Sequence, residues 1–283
     1  DIENGDSAEK FIGECMLHYS GWKLKFPEWL ARCREWVARY DPVKPEHLSE
    51  WHHYGVMRRL SEKIPENAIV TYDTGGNAIM MGHCFQSKEG QRIFSSNGNS
   101  SMGFGMCGAI GAAFAEPGRP VFSVIGDGGL SLNIQEAQTI KHYGLPVKII
   151  LLNNHILGNT RVFQIQNNKA PVACNLDGGY SCPDFVEVFR AYGIESIRID
   201  SWDDFDRIAQ YVIDAPHAIL LDVVHHEFCD YQPRFSLWHG GIEEMFPPMQ
   251  EEEFLSNMLI EPIEGWQERR KQYRAVNERT VPV

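Results

Sequence analysis

Two polar clusters, each directly after an apolar run, contain the residues best suited to chemistry. The segment GDGG at 126–129 follows VFSVI, and Asn153 and Asn154 end the run VKIILLNN. Glycines let backbone amides approach an anion closely, and a helix that starts there directs its positive end to the same place. A carboxylate, an amide oxygen and a backbone carbonyl suit Mg²⁺, which takes its other ligands from phosphate and water. GDG alone is equally typical of an ordinary glycine turn between strand and helix, but the second cluster favours a diphosphate and magnesium site.

The elements that must position these residues alternate between apolar strands and helices. Because the strands are continuous apolar runs, we predict an α/β fold with a doubly wound parallel sheet and helices on both faces. Parallel strands end at one edge of a sheet, so Asp127 and Asn154, 27 positions apart, are expected to converge. The capping-box spacing of Asn133 and Glu136 supports a helix at 131–143. The predicted strands are 68–73, 147–153, 195–199 and 218–224, together with 120–128, in which a strand runs into a glycine turn. The other predicted helices are 26–40, 47–63, 184–192 and 203–213.

The segment GDGGLSLNIQEAQTIKHYGLPVKIILLNN resembles the signature of thiamine-diphosphate enzymes, in which GDG precedes NN by about two dozen residues. The preceding segment, SSNGNSSMGFGMCGAIGAAFAEPGRPVFSVIGDG, is similar to that of acetolactate synthases and related enzymes. The resemblance covers roughly residues 46–224. It implies the C-terminal, diphosphate-binding domain of an acetolactate-synthase-like enzyme, with thiamine diphosphate and Mg²⁺ as cofactors.

The resemblance also implies a role for individual residues. Asp127, Asn154 and the backbone carbonyl of Ile156 correspond to magnesium ligands, and the amides of Gly128 and Gly129 to diphosphate contacts. Ser is frequent in the family where Gly129 stands, so one hydroxyl contact is expected to be missing here.

Further cofactor contacts are implied on both sides of this centre. Met102 corresponds to the bulky residue that bends the cofactor, and Ser101 belongs to the small-residue stretch beneath the pyrimidine. Gly76 and Asn77, after Gly75, fall on the family's diphosphate loop, in which Ala78 replaces the usual histidine. Leu157, next to the third metal ligand, completes the expected cofactor-binding residues.

The family's proton-transferring glutamate comes from a separate pyrimidine-binding domain, which this sequence lacks. We therefore expect no catalytic residue of that kind in this chain, and an active site completed by the same or another subunit. A homo-oligomer (dimer or tetramer) or a hetero-oligomer would supply it. Residues 1–45 are expected to be a helical linker or the remnant of a middle domain, and 225–283 a loop and helical tail. Some acetolactate synthases bind FAD through the middle domain, so FAD stays open.

Three functions fit these residues. The first is decarboxylation of a 2-oxo acid such as pyruvate, with transfer of the acyl unit to a second carbonyl. The alternatives are a simple 2-oxo-acid decarboxylase and a non-catalytic assembly subunit. The C-terminal stretch is more similar to acetolactate-synthase-like proteins of sugar and surface-polysaccharide pathways than to the branched-chain amino-acid enzymes. His225, His226 and His239 either face the substrate or are structural.

Composition limits the classes of binding partner and the cellular compartment expected for this protein. The net charge of −12 disfavours binding to nucleic acid or to an anionic membrane. The seven cysteines are odd in number and contain no CxxC pair, which is typical of reduced thiols in a cytoplasmic protein. No apolar run reaches the ~20 residues of a membrane helix, and no signal peptide is visible. Because the chain of 283 residues begins at Asp1 without methionine, we expect a piece of a longer protein.

Overall fold

The computed structural model describes residues 8–18, 26–167, 169–225, 231–233 and 249–278. The chain divides into two compact units, Asp1–Asp41 and Pro42–Val283. The first unit contains helices α1 (Ala8–His18) and α2 (Pro27–Arg39). None of the residues of α2, all of them described, is buried, and its apolar residues Trp29, Leu30 and Val37 are exposed. The predicted limits of the three segments, at 45/46 and 224/225, stay a prediction.

A six-stranded sheet, in which every strand pairing is parallel, is the framework of the second unit. The strand order is β2-β1-β3-β4-β6-β5. All five predicted strands are present, and β2 is an additional three-residue strand at one edge. The bounds are β1 Ile69–Tyr72, β2 Arg92–Phe94, β3 Val121–Gly126, β4 Val147–Asn153, β5 Glu195–Ile199 and β6 Ile219–Val224.

Helices cover both faces of the sheet. The helices of this unit in the described residues are α3 (Pro45–Ser49), α4 (His53–Lys63), α5 (Gly76–Cys84), α6 (Phe104–Ala115), α7 (Asp127–Leu132), α8 (Ala137–Tyr143), α9 (Gly158–Gln166), α10 (Phe185–Ala191), α11 (Trp202–Asp214), α12 (Glu251–Asn257) and α13 (Trp266–Glu278). The helix predicted at 47–63 is therefore two helices, α3 and α4.

Strand β4 shows how the two faces are filled. Its residues Ile150 and Leu152 belong to one apolar cluster, with side chains of α4, α5 and α11. Ile149 and Leu151 belong to a second cluster, with side chains of α6, α8 and α10. Because successive residues of a strand point to opposite faces, both faces of the sheet are buried. The predicted doubly wound α/β fold is confirmed.

The secondary structure directly after β3 differs from the one predicted. The GDGG segment is not a turn, since α7 begins directly at Asp127. The helix predicted at 131–143 is interrupted at Asn133, and a 3₁₀ turn at Ile134–Glu136 leads into α8. The capping box is wrong, because Asn133 makes no side-chain capping bond. Its amide instead fills the space beside Gly103, where a Cβ would collide with it.

A set of reciprocal hydrogen bonds joins the start of the second unit to the end of β6. Trp51 Nε1 donates to the carbonyl of Val224 over 2.7 Å, and His53 Nε2 donates to that of Val223 over 3.1 Å. His225 Nε2 donates in turn to the carbonyl of Trp51 over 2.9 Å. We call this set the Trp51–His225 clasp. It places the first turn of α4 against the carboxyl end of the sheet.

No helix in the described ranges is long and apolar enough to cross a membrane. Six of the seven cysteines lie in those ranges, and no disulfide joins them. Cys229 lies outside the described residues.

Candidate functional site

A cleft lies at the carboxyl edge of the sheet, where loops and helix starts follow β1, β3 and β4. Nine of the ten predicted cofactor-binding residues line it, namely Gly76, Asn77, Met102, Asp127, Gly128, Gly129, Asn154, Ile156 and Leu157. Residues that the sequence did not single out also line it, among them His53, Asp73 and Tyr231. The helices α5 and α9 both start at this cleft, so their unpaired backbone amides favour an anion there.

The three predicted metal ligands converge in this cleft. The amide of Ile156 donates to Oδ1 of Asn154 over 3.1 Å, and the same amide stabilises the ionised carboxylate of Asp127. Asp127 is 3% exposed, and burial raises its pKa to about 6. Hydrogen bonds from the amides of Gly128 and Ile156 and from the Tyr180 hydroxyl oppose that rise. A buried carboxylate of this kind is favourable once a cation neutralises it.

Asn153 and Asn154 are adjacent in sequence, but their side chains lie in different places. Asn153 Nδ2 donates to Oδ1 of Asp222 over 3.0 Å, and Arg198 Nε donates to Oδ2 of the same carboxylate over 2.9 Å. Asp222 is fully buried beneath the edge of the sheet. Asn153 is therefore held within the sheet, while Asn154 lies in the cleft.

Gly128 allows two apolar side chains to close over the start of α7. A Cβ at this position would collide with Leu157 and would lie 3.2 Å from Cε of Met102. Met102 is 40% exposed in the free protein, so an apolar ligand surface could still bury it. The absence of a side chain at Gly128 thus lets Met102 and Leu157 pack directly against its backbone.

Asp73 is a buried carboxylate that the sequence interpretation missed. It directly follows β1, and its oxygens accept hydrogen bonds from the amides of Thr74 (2.7 Å) and Gly103 (2.8 and 3.1 Å). Burial raises its pKa above the usual range. By holding Gly103, Asp73 fixes the backbone next to Met102. The rule that located Asp127, a polar residue after an apolar strand, would also have found it.

The diphosphate loop predicted at 75–77 forms the turn into α5. Gly75 has a φ of +75°, which favours glycine, and Asn77 Nδ2 donates to the carbonyl of Thr74 over 3.1 Å. A Cβ at Gly76 would collide with the hydroxyl of Tyr231. The C-terminal part of the chain therefore contributes Tyr231 to the wall of the cleft.

Ser101 and His225 are not among the described residues that line the cleft. Ser101 is exposed and does not line the described part of the cleft, whereas its neighbour Ser100 does. His225 is buried and belongs to the Trp51–His225 clasp, which is a structural role. His226 and His239 lie outside the described residues.

Tyr180 approaches the cleft from the loop before α10, and its hydroxyl donates to Oδ2 of Asp127 over 3.2 Å.

Cys182 lies on the same loop, and its Sγ is 3.0 Å from Nδ1 of His155. Burial and the nearby carboxylate of Asp127 raise the pKa of Cys182 to about 12, so its thiol stays protonated and is a poor nucleophile.

The chemistry of this donor set fits a hard cation with a diphosphate. A carboxylate, an amide oxygen and a backbone carbonyl suit Mg²⁺, while glycines and helix starts suit phosphate. The described residues contain no group of three or more His, Cys, Asp and Glu side chains that could hold a metal.

Comparison with known proteins agrees with this geometry. Residues 73–223 match the family model described as thiamine pyrophosphate enzyme, C-terminal TPP binding domain. The chain belongs to this family. The matched residues begin directly after β1 and include strands β2 to β5, all but the last residue of β6, and both polar clusters of the cleft. The resemblance to thiamine-diphosphate enzymes is thereby confirmed.

The relatives of this thiamine pyrophosphate enzyme domain include acetolactate synthases. A probable acetolactate synthase large subunit of Methanococcus aeolicus is 36% identical over 192 residues, which are 66% of this chain and 31% of the relative. Acetolactate synthase isozyme 1 large subunit of Escherichia coli K12 is 32% identical over 199 residues, 69% of this chain and 34% of the relative. Acetolactate synthase 1, chloroplastic, of Nicotiana tabacum is 29% identical over 218 residues, 75% of this chain and 32% of the relative. The chain therefore spans about a third of the length of these relatives.

Proposed function

We propose that this chain supplies the diphosphate- and magnesium-binding half of an acetolactate-synthase-type active site. The observation that carries the proposal is the convergence of Asp127, Asn154 and Ile156 in a cleft that several glycines also line. Asp127, Asn154 and the Ile156 carbonyl would hold Mg²⁺. The amides of Gly76, Gly128 and Gly129 would hold the diphosphate.

Bound thiamine diphosphate would act as the electron sink for breaking and forming carbon–carbon bonds. The chain's own contribution is to bind and orient it. Met102 and Leu157, which meet over Gly128, would support the ring system, and the buried Asp127 would be neutralised by the metal. The groups that move protons to and from the reacting atoms would come from a pyrimidine-binding domain of the same or another subunit.

For the reaction, we propose decarboxylation of a 2-oxo acid, with pyruvate as the first candidate, and transfer of the acyl unit to a second carbonyl. The names of the relatives support a synthase of this type. The odd number of cysteines without a CxxC pair supports a cytoplasmic location. A dimer or tetramer would bring the two halves of the site together.

Two alternatives give different products or none. A simple decarboxylase would release an aldehyde from pyruvate, while a carboligase would form acetolactate or another condensation product. A non-catalytic assembly subunit would form neither and would have no need of a metal site. The presence of both Asp127 and Asn154 argues against that last alternative.

Calorimetric titration of the natively assembled protein with thiamine diphosphate and Mg²⁺ tests the cofactor proposal. Asp127→Ala should abolish Mg²⁺-dependent binding. Asp200→Asn, which changes an exposed aspartate outside the cleft, should not affect it. Equal binding by wild type and Asp127→Ala would refute the proposed site. Product analysis with pyruvate then separates a carboligase from a decarboxylase.

A further inference from the structure

Tyr231 is a buried tyrosine in the C-terminal part of the chain that the proposed function does not use. It is 4% exposed, lines the cleft and belongs to the apolar cluster that contains Met80 and Met81 of α5. Its phenol group lies against Gly76, since a Cβ on Gly76 would collide with the hydroxyl, Cζ and Cε1 of the tyrosine. Tyr231 therefore occupies the place that a side chain at position 76 would take.

The start of α5, which Tyr231 contacts, has little rigidity of its own. The N-cap Gly75 and the first helical residue Gly76 carry no side chain, and the helix has no side-chain capping bond. Because glycine has more backbone freedom than any other residue, such a turn must be held by what surrounds it. Asn77 contributes a hydrogen bond to the carbonyl of Thr74, and the ring of Tyr231 contributes a direct contact with Gly76.

The backbone next to Tyr231 is anchored to the other end of the same helix. The amide of Gln232 donates to the hydroxyl of Tyr54 over 3.2 Å. That hydroxyl also lies 2.9 Å from Nδ1 of His83, in the last turn of α5. The C-terminal part of the chain thus contacts the first turn of α5 directly and the last turn through Tyr54, so the position of the Tyr231 ring is fixed relative to the helix.

We propose that Tyr231 is a positioning residue for the diphosphate, and that it acts by fixing the backbone of Gly76 at the start of α5. This inference rests on the proposed function, in which the amide of Gly76 binds the diphosphate. A ligand that meets a backbone already in place loses no free energy in ordering it. Without the ring, the first turn of α5 would be ordered only on binding, and the affinity would fall.

Calorimetric titration of the natively assembled protein with inorganic pyrophosphate and Mg²⁺, and separately with thiamine diphosphate and Mg²⁺, tests this role. Tyr231→Ala should weaken the binding of both ligands about 10-fold, because both contain the diphosphate. Tyr231→Phe keeps the ring and should restore most of the affinity. Tyr211→Ala, which removes an exposed tyrosine outside the cleft, is the control and should bind as wild type does. A loss in Tyr231→Phe as large as in Tyr231→Ala would overturn the inference, because the hydroxyl and not the ring would then be needed.

A double-mutant cycle tests whether Tyr231 acts through Gly76. Gly76→Ala should weaken pyrophosphate binding in the wild-type background, because its Cβ collides with the phenol group. In the Tyr231→Ala background that space is free, so the same substitution should cost much less. Gly82→Ala, on the same helix, meets no atom within 4 Å and should change nothing. Equal losses from Gly76→Ala in the two backgrounds would show that the residues act independently and would refute the inference.

Urea denaturation separates positioning from a role in stability alone. If Tyr231→Ala lowers the free energy of unfolding but the folded variant binds pyrophosphate as wild type does, Tyr231 does not position the diphosphate. If Tyr231→Ala does not fold, Tyr231→Leu provides the same comparison, since it keeps apolar volume in the cluster but is too short to reach Gly76.

The two proposals fail in different ways. Unchanged pyrophosphate affinity in Tyr231→Ala, with normal binding by wild type, refutes the role of Tyr231 and leaves the proposed function standing. No binding of thiamine diphosphate and Mg²⁺ by wild type refutes both.

Discussion

Gly129 and Asp73 are so close that a Cβ on Gly129 would collide with Oδ2 of the buried carboxylate. That carboxylate accepts hydrogen bonds from the amides of Thr74 and Gly103. The start of α7 and the backbone beside Met102 are therefore packed against one side chain. Glycine at 129 and aspartate at 73 form a single structural unit.

Gly129→Ala should lower the free energy of unfolding by about 1–3 kcal/mol, because the added methyl group must displace Asp73 from its amide donors. Urea denaturation measures the change. Gly111→Ala is the matched control, since a Cβ at Gly111 in α6 meets no atom within 4 Å and should be neutral or stabilising. In a double-mutant cycle, Asp73→Ala and Gly129→Ala should together cost less than the sum of the two.

Asp127→Asn should stabilise the ligand-free protein at pH 8 by roughly 2–3 kcal/mol, because it removes a buried charge. Burial raises the folded pKa of Asp127 to about 6 from 3.8. As the pH rises, Asp127 therefore ionises first in the unfolded state. The destabilisation of the folded state that results grows between about pH 4 and pH 6 and is constant above pH 6. The stability difference between variant and wild type should vanish near pH 4. A difference independent of pH would contradict this explanation.

Tyr180→Phe should shift the pH dependence of Mg²⁺ binding upward. The Tyr180 hydroxyl donates to Oδ2 of Asp127 and lowers the pKa of that carboxyl, so its loss raises this pKa further above the usual range. Because the metal binds the ionised carboxylate, Mg²⁺ affinity falls as the pH is lowered, and this fall should begin at a higher pH in the variant than in wild type. Well above the pKa of Asp127, the two proteins should bind Mg²⁺ equally. Tyr211→Phe, whose exposed hydroxyl bonds Glu195, should leave the profile unchanged.

Met102→Ala should weaken thiamine diphosphate binding about 10-fold, because the methionine side chain would bury apolar area against the ring system. Inorganic pyrophosphate has no rings, so its affinity should not change. Comparing the two ligands by calorimetry isolates the ring contact. Leu132→Ala, an exposed leucine outside the cleft, is the control. Equal losses for both ligands would indicate a disturbed diphosphate site instead.

Arg198→Met should reduce the free energy of unfolding by roughly 2–4 kcal/mol, because it leaves the fully buried Asp222 carboxylate without its counter-charge. Urea denaturation gives the value. Arg207→Met removes an exposed ion pair with Asp204 and should cost much less. Similar losses for the two variants would show that Asp222 does not depend on Arg198.

The sheet was predictable because buried parallel strands are continuous apolar runs. β4 and β5 have the predicted bounds of 147–153 and 195–199, and the other three predicted strands differ by at most two residues at either end. β2 (Arg92–Phe94) escaped prediction because three partly exposed residues at a sheet edge make no such run. The start of α7 was taken for a turn because glycine is a poor helix former, and packing overrides that preference here.

The site could be predicted from the sequence where its residues directly follow predicted strands. Asp127 and Asn154 follow strands, so their convergence could be inferred from topology alone. His53 and Val223 are 170 positions apart, and Asp127 and Tyr180 are 53 apart. No spacing rule connects such pairs, because tertiary packing alone brings them together. The sequence left a substrate contact and a structural role open for His225, and the ring belongs to the Trp51–His225 clasp.

The Trp51–His225 clasp also sets limits on how this domain can be cut from one enzyme and grafted into another. Trp51 and His53 bond the last two residues of β6, and His225 bonds back to Trp51. A graft that begins after His53 would leave the carbonyls at the end of β6 without these donors, and one that ends before His225 would leave the carbonyl of Trp51 without its donor. A transplantable module must therefore begin upstream of Trp51 and extend past His225.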